Sequence, residues 1–279
     1  IKNKKNIVNW LNVIIFFCLL LLGCVFGYLN IQLSQKQNDS PVVRIVQPAL
    51  SQSEKMIKTR VEAIGVANEK IEKLNEMVGD VSNIDFIVFP ETSYPFILQK
   101  DIVIPNVFAK PIVFGANTFD DGKMFNSMLV VDKNGNIESI YNKSHLVPFG
   151  EYSPFGFMPA PINLSVGHNE KNIFVNYTDN KKFMFAPAIC YEIIFSGAVT
   201  DNGKYDAIIN ITNDTWFGKT PGTYQHLDMV RRYAIESGLP IIRANYSGIS
   251  AFILSDGEII SSLPIDNRGI LDGFVWGAH

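Results

Sequence analysis

Cysteine is nearly missing from this sequence. Of the three in 279 residues, Cys18 and Cys24 fall inside one apolar run, so Cys190 is the only thiol in everything that follows. That excludes a disulfide framework for the larger part of the chain and leaves Cys190 as either an inert buried side chain or a reactive thiol. An excess of one charge sign is missing too. Lys and Arg number 24 against 27 Asp and Glu, a formal net charge of −3 with the signs well mixed. The broad basic footprint of a nucleic-acid binder is therefore not there, and no nucleic-acid partner is expected. No G-x-S-x-G elbow, Walker A loop or G-x-G-x-x-G fingerprint occurs. The histidines His145, His168, His226 and His279 are scattered without metal-ligand spacing, so neither a metal nor an organic cofactor is expected. His226, in YQHLDM, reads as structural.

One stretch lacks charge altogether. From Asn6 to Gln35 there is no charged residue, and WLNVIIFFCLLLLGCVFGYL runs through its middle. That length crosses a bilayer as a helix. A signal peptide also has a basic start and an apolar stretch, and Leu21-Leu22-Gly23-Cys24 looks like a lipid-attachment box. The apolar character continues through VFGYL with no small-residue cleavage site, which favours a retained helix. The basic IKNKKN precedes it, so the positive-inside tendency places residue 1 in the cytoplasm and everything after Ser34 on the far side, the periplasm in a bacterium. Residues 1–35 thus read as a transmembrane helix and 36–279 as one extracytoplasmic domain.

Within that domain VVRIVQPAL reads as a β-branched strand. Ile57, Val61, Ile64, Ile71, Leu74 and Val78 then recur at helical spacing between Ser51 and Gly79, an amphipathic helix. IDFIVFPE, PIVFGANT and AIINIT are apolar strands. Hairpins are expected at Asn134-Gly135, near Asp179-Asn180 and at Asp256-Gly257. A helix over about 225–237 turns Leu227, Val230 and Ala234 inward and leads to PIIRAN. Strands alternating with helices give one mixed-sheet α/β domain.

Three polar residues stand where apolar strands end: Glu91 after IVFP, Lys143 after ESIYN, and Cys190 after FMFAPAI. Strand ends line the ligand crevice in open α/β sheets. Taken one at a time, Glu91 and Lys143 read as solvated loop charges. Together with Cys190 they form a coherent set, because a thiolate attacks carbonyls, a carboxylate can take its proton and an ammonium can stabilise the resulting oxyanion. Acyl transfer is the chemistry this set suits, provided the fold brings the three together.

The ordered segments PET (90–92), NKSHLVPFGEY (142–152) and AICYEIIF (188–195) resemble the nitrilase superfamily. Across YNKSHLVPFGEY, CYEII and NITNDTWFGKTPGTYQHLDMVRRYAIESGLPIIRANYSGIS the likeness narrows to its membrane-bound branch, the apolipoprotein N-acyltransferases. The resemblance implies an α-β-β-α sandwich, with Glu91 as general base, Lys143 as oxyanion stabiliser and Cys190 as nucleophile. It implies a phospholipid as acyl donor, a thioester at Cys190 and the α-amine of a diacylglyceryl-cysteine on an apolipoprotein as acceptor, all at a bacterial inner membrane.

Glu151, Tyr191 and Glu192 are implied as supporting residues. Cys190 and Glu192 share a face if the strand continues through them, and part company if the chain turns sharply there. Phe155, Phe157 and Met158 of SPFGFMPAPINL are candidates for a lipid-facing arm, or for an ordinary Pro-rich loop. Trp216 walls the pocket or belongs to the core. The family has several membrane helices before the domain and one after it, so this sequence reads as a C-terminal fragment. Two other readings stay open: an amidohydrolase in which water resolves the thioester, and an inactive membrane-tethered remnant.

Overall fold

The computed structural model describes residues 2–33, 40–50, 60–99, 102–154, 161–168, 173–195, 205–218 and 220–274. Helix α1, Lys2–Leu33, contains the segment Trp10–Tyr28, which is long and apolar enough to cross a membrane and has none of its surface buried. The remaining elements form two six-stranded sheets with a helix on the outer face of each.

The first sheet has the order β12-β1-β2-β3-β4-β5 and the second β11-β10-β9-β8-β7-β6. In the first, β1 (Val42–Gln47), β2 (Phe86–Val88) and β3 (Ile112–Asp120) run parallel. Beside β3 lies the antiparallel β4 (Lys123–Val131), then β5 (Ile137–Asn142), antiparallel to β4 and so running in the direction of the central three; beside β1 lies the antiparallel β12 (Gly269–Phe274). The second sheet repeats the scheme: β7 (Lys181–Ile189), β8 (Ala207–Thr212) and β9 (Ile241–Asn245) are parallel. Antiparallel to these lie β6 (Ile173–Thr178), beside β7, and β10 (Ser250–Ile253), beside β9, while β11 (Ile259–Leu263) pairs antiparallel with β10 and so runs in the direction of the central three.

The apolar runs explain the layering. Every residue of β2, β8 and β9 is buried, as expected of strands covered on both faces. One face of each sheet meets the other sheet through Val43, Ile45, Phe86, Val88, Phe185, Ile189, Ile209 and Phe252. Helix α2, Arg60–Val78, packs Leu74 and Val78 on the outer face of the first sheet. Helix α3, Gly222–Ser237, packs Leu227, Val230, Tyr233 and Ala234 on the second. The α-β-β-α expectation is met.

Two details differ from the sequence reading. Ile64 is exposed rather than core-facing, while Ala67, Leu74 and Val78 of the same helix are buried. Ile57 lies outside the described residues. A tight turn at Asp121-Gly122 joins β3 to β4, where the polar TFDDGK had masked two long strands.

Candidate active site

Parallel strands present their C-terminal ends together, and here three exits meet. Glu91 follows β2, Lys143 follows β5 directly, and Cys190 follows β7 directly. The first two belong to one sheet and Cys190 to the other. Gly115 in β3 sets the path of the first exit: a Cβ there would stand 2.6 Å from Glu91 Cα and from Thr92 N, and 2.9 Å from Pro90 O. Only glycine lets this backbone lie against β3, where Gly115 N donates to Pro90 O at 3.2 Å.

Glu91 and Lys143 are both buried. Lys143 Nζ lies 2.8 Å from Glu151 Oε1 and 3.7 Å from Glu91 Oε1. Glu151 is drawn in by its own loop, accepting at Oε2 from Val147 N at 2.8 Å. The Cys190 thiol acts on the Glu91 carboxyl and favours its ionised form. Burial raises the Glu91 carboxyl above the ordinary range, and Lys143 only partly offsets this. Burial would lower Lys143, but Glu91, the Cys190 thiolate and Glu151 outweigh it and hold the amine as a firm ammonium. The Cys190 thiol is pushed up to about 12, first by burial and then by the Glu91 charge. At neutral pH the resting group is therefore a thiol beside a base. It is not a free thiolate.

The nucleophile candidate sits on a sharp turn. The chain leaves β7 extended at Ile189, takes φ 52° at Cys190 and enters a 3₁₀ turn, Cys190–Ile194. A left-handed conformation at a non-glycine residue is strained and is kept only where its surroundings enforce it. Glu192 enforces this one. Its Oε2 accepts from Ile189 N at 2.8 Å, while Oε1 accepts from Ser144 N at 2.6 Å, His145 N at 3.0 Å and the Tyr141 hydroxyl at 2.9 Å. Of the two alternatives for Cys190 and Glu192, the sharp turn is the one found. The strand ends at Ile189, before both residues, and the buried Glu192 ties the Cys190 turn to the Lys143 loop. Tyr191 is half-buried, with its ring edge-on to Phe195.

Sequence reasoning missed a second buried layer. Thr212, at the end of β8, favours the ionised form of the Cys190 thiol and donates from Oγ1 to Asp214 Oδ1 at 3.2 Å. Asp214 is fully buried and pairs with the equally buried Arg243 at 2.7 Å. It also accepts from Asn245 Nδ2 at 2.6 Å and meets His226 Nδ1 at 2.8 Å. Burial alone would raise Asp214, but Arg243 and His226 bring it down to about 2. Burial and the Arg243 charge lower His226, so its imidazole stays neutral, in keeping with a structural role. A charged Arg243 inside the apolar PIIRAN run was the available signal. Asn126, in the centre of FNSMLVV, was another missed residue: its Nδ2 donates to Glu91 Oε1 at 2.7 Å and to Glu151 Oε1 at 3.2 Å.

Trp216 is 82% exposed, which removes the core reading for it. The neighbouring Phe217 ring stands edge-on to His226 at 6.0 Å. Phe155, Phe157 and Met158 lie outside the described residues.

The carbon-nitrogen hydrolase family profile matches residues 43–273, both sheets and all three strand exits included. This chain belongs to the carbon-nitrogen hydrolase family. Among curated relatives, an apolipoprotein N-acyltransferase of Agrobacterium fabrum (strain C58) is 37% identical over 287 residues, covering 92% of this chain and 53% of the relative. One from Rhizobium rhizogenes (strain K84) is 36% identical over 259 residues, covering 86% and 48%. The chain spans about half the length of the curated relatives it matches. Among solved structures, a CN-hydrolase superfamily protein of Xanthomonas campestris aligns with a TM-score of 0.59 at 16% identity, covering 85% of this chain and 90% of that one. Saccharomyces cerevisiae Nit3, of the nitrilase superfamily, aligns with a TM-score of 0.58 at 16% identity, covering 86% and 91%. These two show a carbon-nitrogen hydrolase fold, as the motifs had implied.

Proposed function

We propose that this chain carries the acyl-transfer domain of an apolipoprotein N-acyltransferase, moving an acyl chain from a membrane phospholipid to a lipoprotein amine through a thioester at Cys190. The observation that carries this reading is the convergence of buried Glu91 and Lys143 with the half-buried Cys190, Glu151 holding the lysine. The names of relatives 36–37% identical to this chain over about half of their own length support the substrate class.

In the first half-reaction Glu91 takes the Cys190 proton as sulfur attacks the ester carbonyl. A thiol near 12 requires such a base at neutral pH. Charge developing on the carbonyl oxygen meets the Lys143 ammonium, which Glu151 keeps in place. The S–C bond forms, the C–O bond breaks, and Glu91 returns its proton to the departing lysophospholipid oxygen. In the second half-reaction a neutral amine attacks the thioester and loses a proton to Glu91. The N–C bond forms, sulfur leaves, and the proton goes back to it. Both halves use the same base and the same cation, which is the economy of ping-pong chemistry.

Trp216, with Phe155, Phe157 and Met158, would meet the acyl chains, and Tyr191 would flank the nucleophile. Residues 1–35 would anchor the domain 36–279 on the periplasmic face, the basic end staying in the cytoplasm.

Intact-protein mass spectrometry of the detergent-solubilised chain incubated with phospholipid tests the reading. A hydroxylamine-sensitive gain of one acyl chain is expected for the wild type and none for Cys190→Ala. Cys190→Ser should acylate poorly, since a hydroxyl ionises far less readily. An adduct of equal size on Cys190→Ala would remove Cys190 from the mechanism.

A further inference from the structure

Asn126 is a polar residue in the buried half of β4. Its Nδ2 carries two hydrogens and faces two carboxylates, Glu91 Oε1 at 2.7 Å and Glu151 Oε1 at 3.2 Å. Those same two oxygens are the ones Lys143 Nζ approaches. The Asn126 backbone oxygen accepts from Lys143 N at 2.8 Å, so one residue touches the base, the cation and its counter-charge. The amide is held this way round at a cost, since Oδ1 is buried with no partner among the described residues. The flipped amide would aim that oxygen at two carboxylates, which is worse.

Two carboxylates close to one cation tend to share a proton, which makes either of them the acid. An N–H donor on one oxygen keeps that oxygen an acceptor. We propose that Asn126 is a positioning residue that keeps the two glutamates in different jobs. By occupying Oε1 of Glu91 it sends the thiol proton to the other oxygen, and by donating to Glu151 it keeps that carboxylate as the ionised partner of Lys143. The inference deepens the reading of Glu91 as general base and rests on it. Neither composition nor motif points to Asn126; only the two hydrogen bonds do.

The test is the pre-steady-state burst of p-nitrophenol from p-nitrophenyl butyrate, measured on the full chain in detergent across pH, together with iodoacetamide labelling of Cys190 across the same range. Asn126→Leu removes both donors. It is expected to lower the burst rate at least tenfold and to move the acidic limb of both profiles upward by about one pH unit, because Glu91 loses a bond that favours its ionised form. Asn126→Asp keeps the shape, adds a third carboxylate and should move the limb further in the same direction. It also serves if the leucine variant does not fold. An acidic limb that stays where it is in the folded variants, whatever happens to the rate, would mean that Asn126 only fills space and would overturn the proposal. A wild type with neither burst nor pH-dependent labelling would overturn it together with Glu91 as base. A burst without acyl uptake from phospholipid would remove the lipid substrate alone.

Discussion

Glu91 shows how a single carboxyl trades stability for chemistry. Its folded pKa is raised by burial, so its contribution favours the fold at low pH and is lost as pH rises through the folded value. In its ionised form it is a burden on the native state. Glu91→Gln keeps the shape and removes that charge, so it should raise the melting temperature at pH 7 while slowing acylation by about 10²–10⁴-fold. A lower melting temperature would mean that attraction to Lys143 outweighs burial. Calorimetry beside the burst assay separates the two. At this scale the sequence was informative where chemistry and strand ends coincide, as at Glu91, Lys143 and Cys190. It was silent where a polar side chain merely interrupts an apolar strand. Asn126 and Arg243 look alike in the sequence, as faults in β4 and β9, and only three-dimensional placement tells a site residue from a buried ion-pair partner.

At the scale of elements, the site depends on how closely β3 approaches the segment leaving β2. Gly115→Ala would place a methyl carbon against backbone atoms of Pro90, Glu91 and Thr92 that have no side-chain freedom to yield. The expected outcome is a loss of about 1–3 kcal/mol in denaturant unfolding and a burst rate that falls with it. Unchanged values in both would mean that the Glu91 segment moves freely. Periodicity predicted most elements because buried parallel strands are continuous apolar runs and α3 is clearly amphipathic. The β3–β4 hairpin escaped because its strands extend past the core into exposed polar residues, where alternation fades. The turn at Cys190 stayed one of two alternatives for a different reason: a positive φ at cysteine is imposed by Glu192 from outside and leaves no trace in local propensity.

For the molecule as a whole, acid stability should be governed in part by the buried pair of Asp214 and Arg243. Asp214 has a folded value of about 2, below the ordinary 3.8. Its contribution is therefore complete above about pH 4 and disappears as pH falls toward 2, a loss on the order of 2 kcal/mol. Asp214→Asn leaves Arg243 buried without its anion and should cost about 3–5 kcal/mol at neutral pH while flattening the acid limb of stability. Urea titrations between pH 2 and 7 test both. A variant as stable as the wild type at pH 7 would show that Arg243 finds another partner.

Glu91 and Lys143 come from one sheet, and Cys190 from the other. The shared apolar interior between the sheets therefore works as a sighting device, holding two half-sites in line across a seam that no covalent bond crosses at that point. Trimming a side chain such as Val88 or Ile189, well inside that seam, lets one half slide against the other by fractions of an ångström. Damage of this kind registers as slow chemistry in a protein that still melts cooperatively, so the interior is as much a part of the reaction as the residues at its rim.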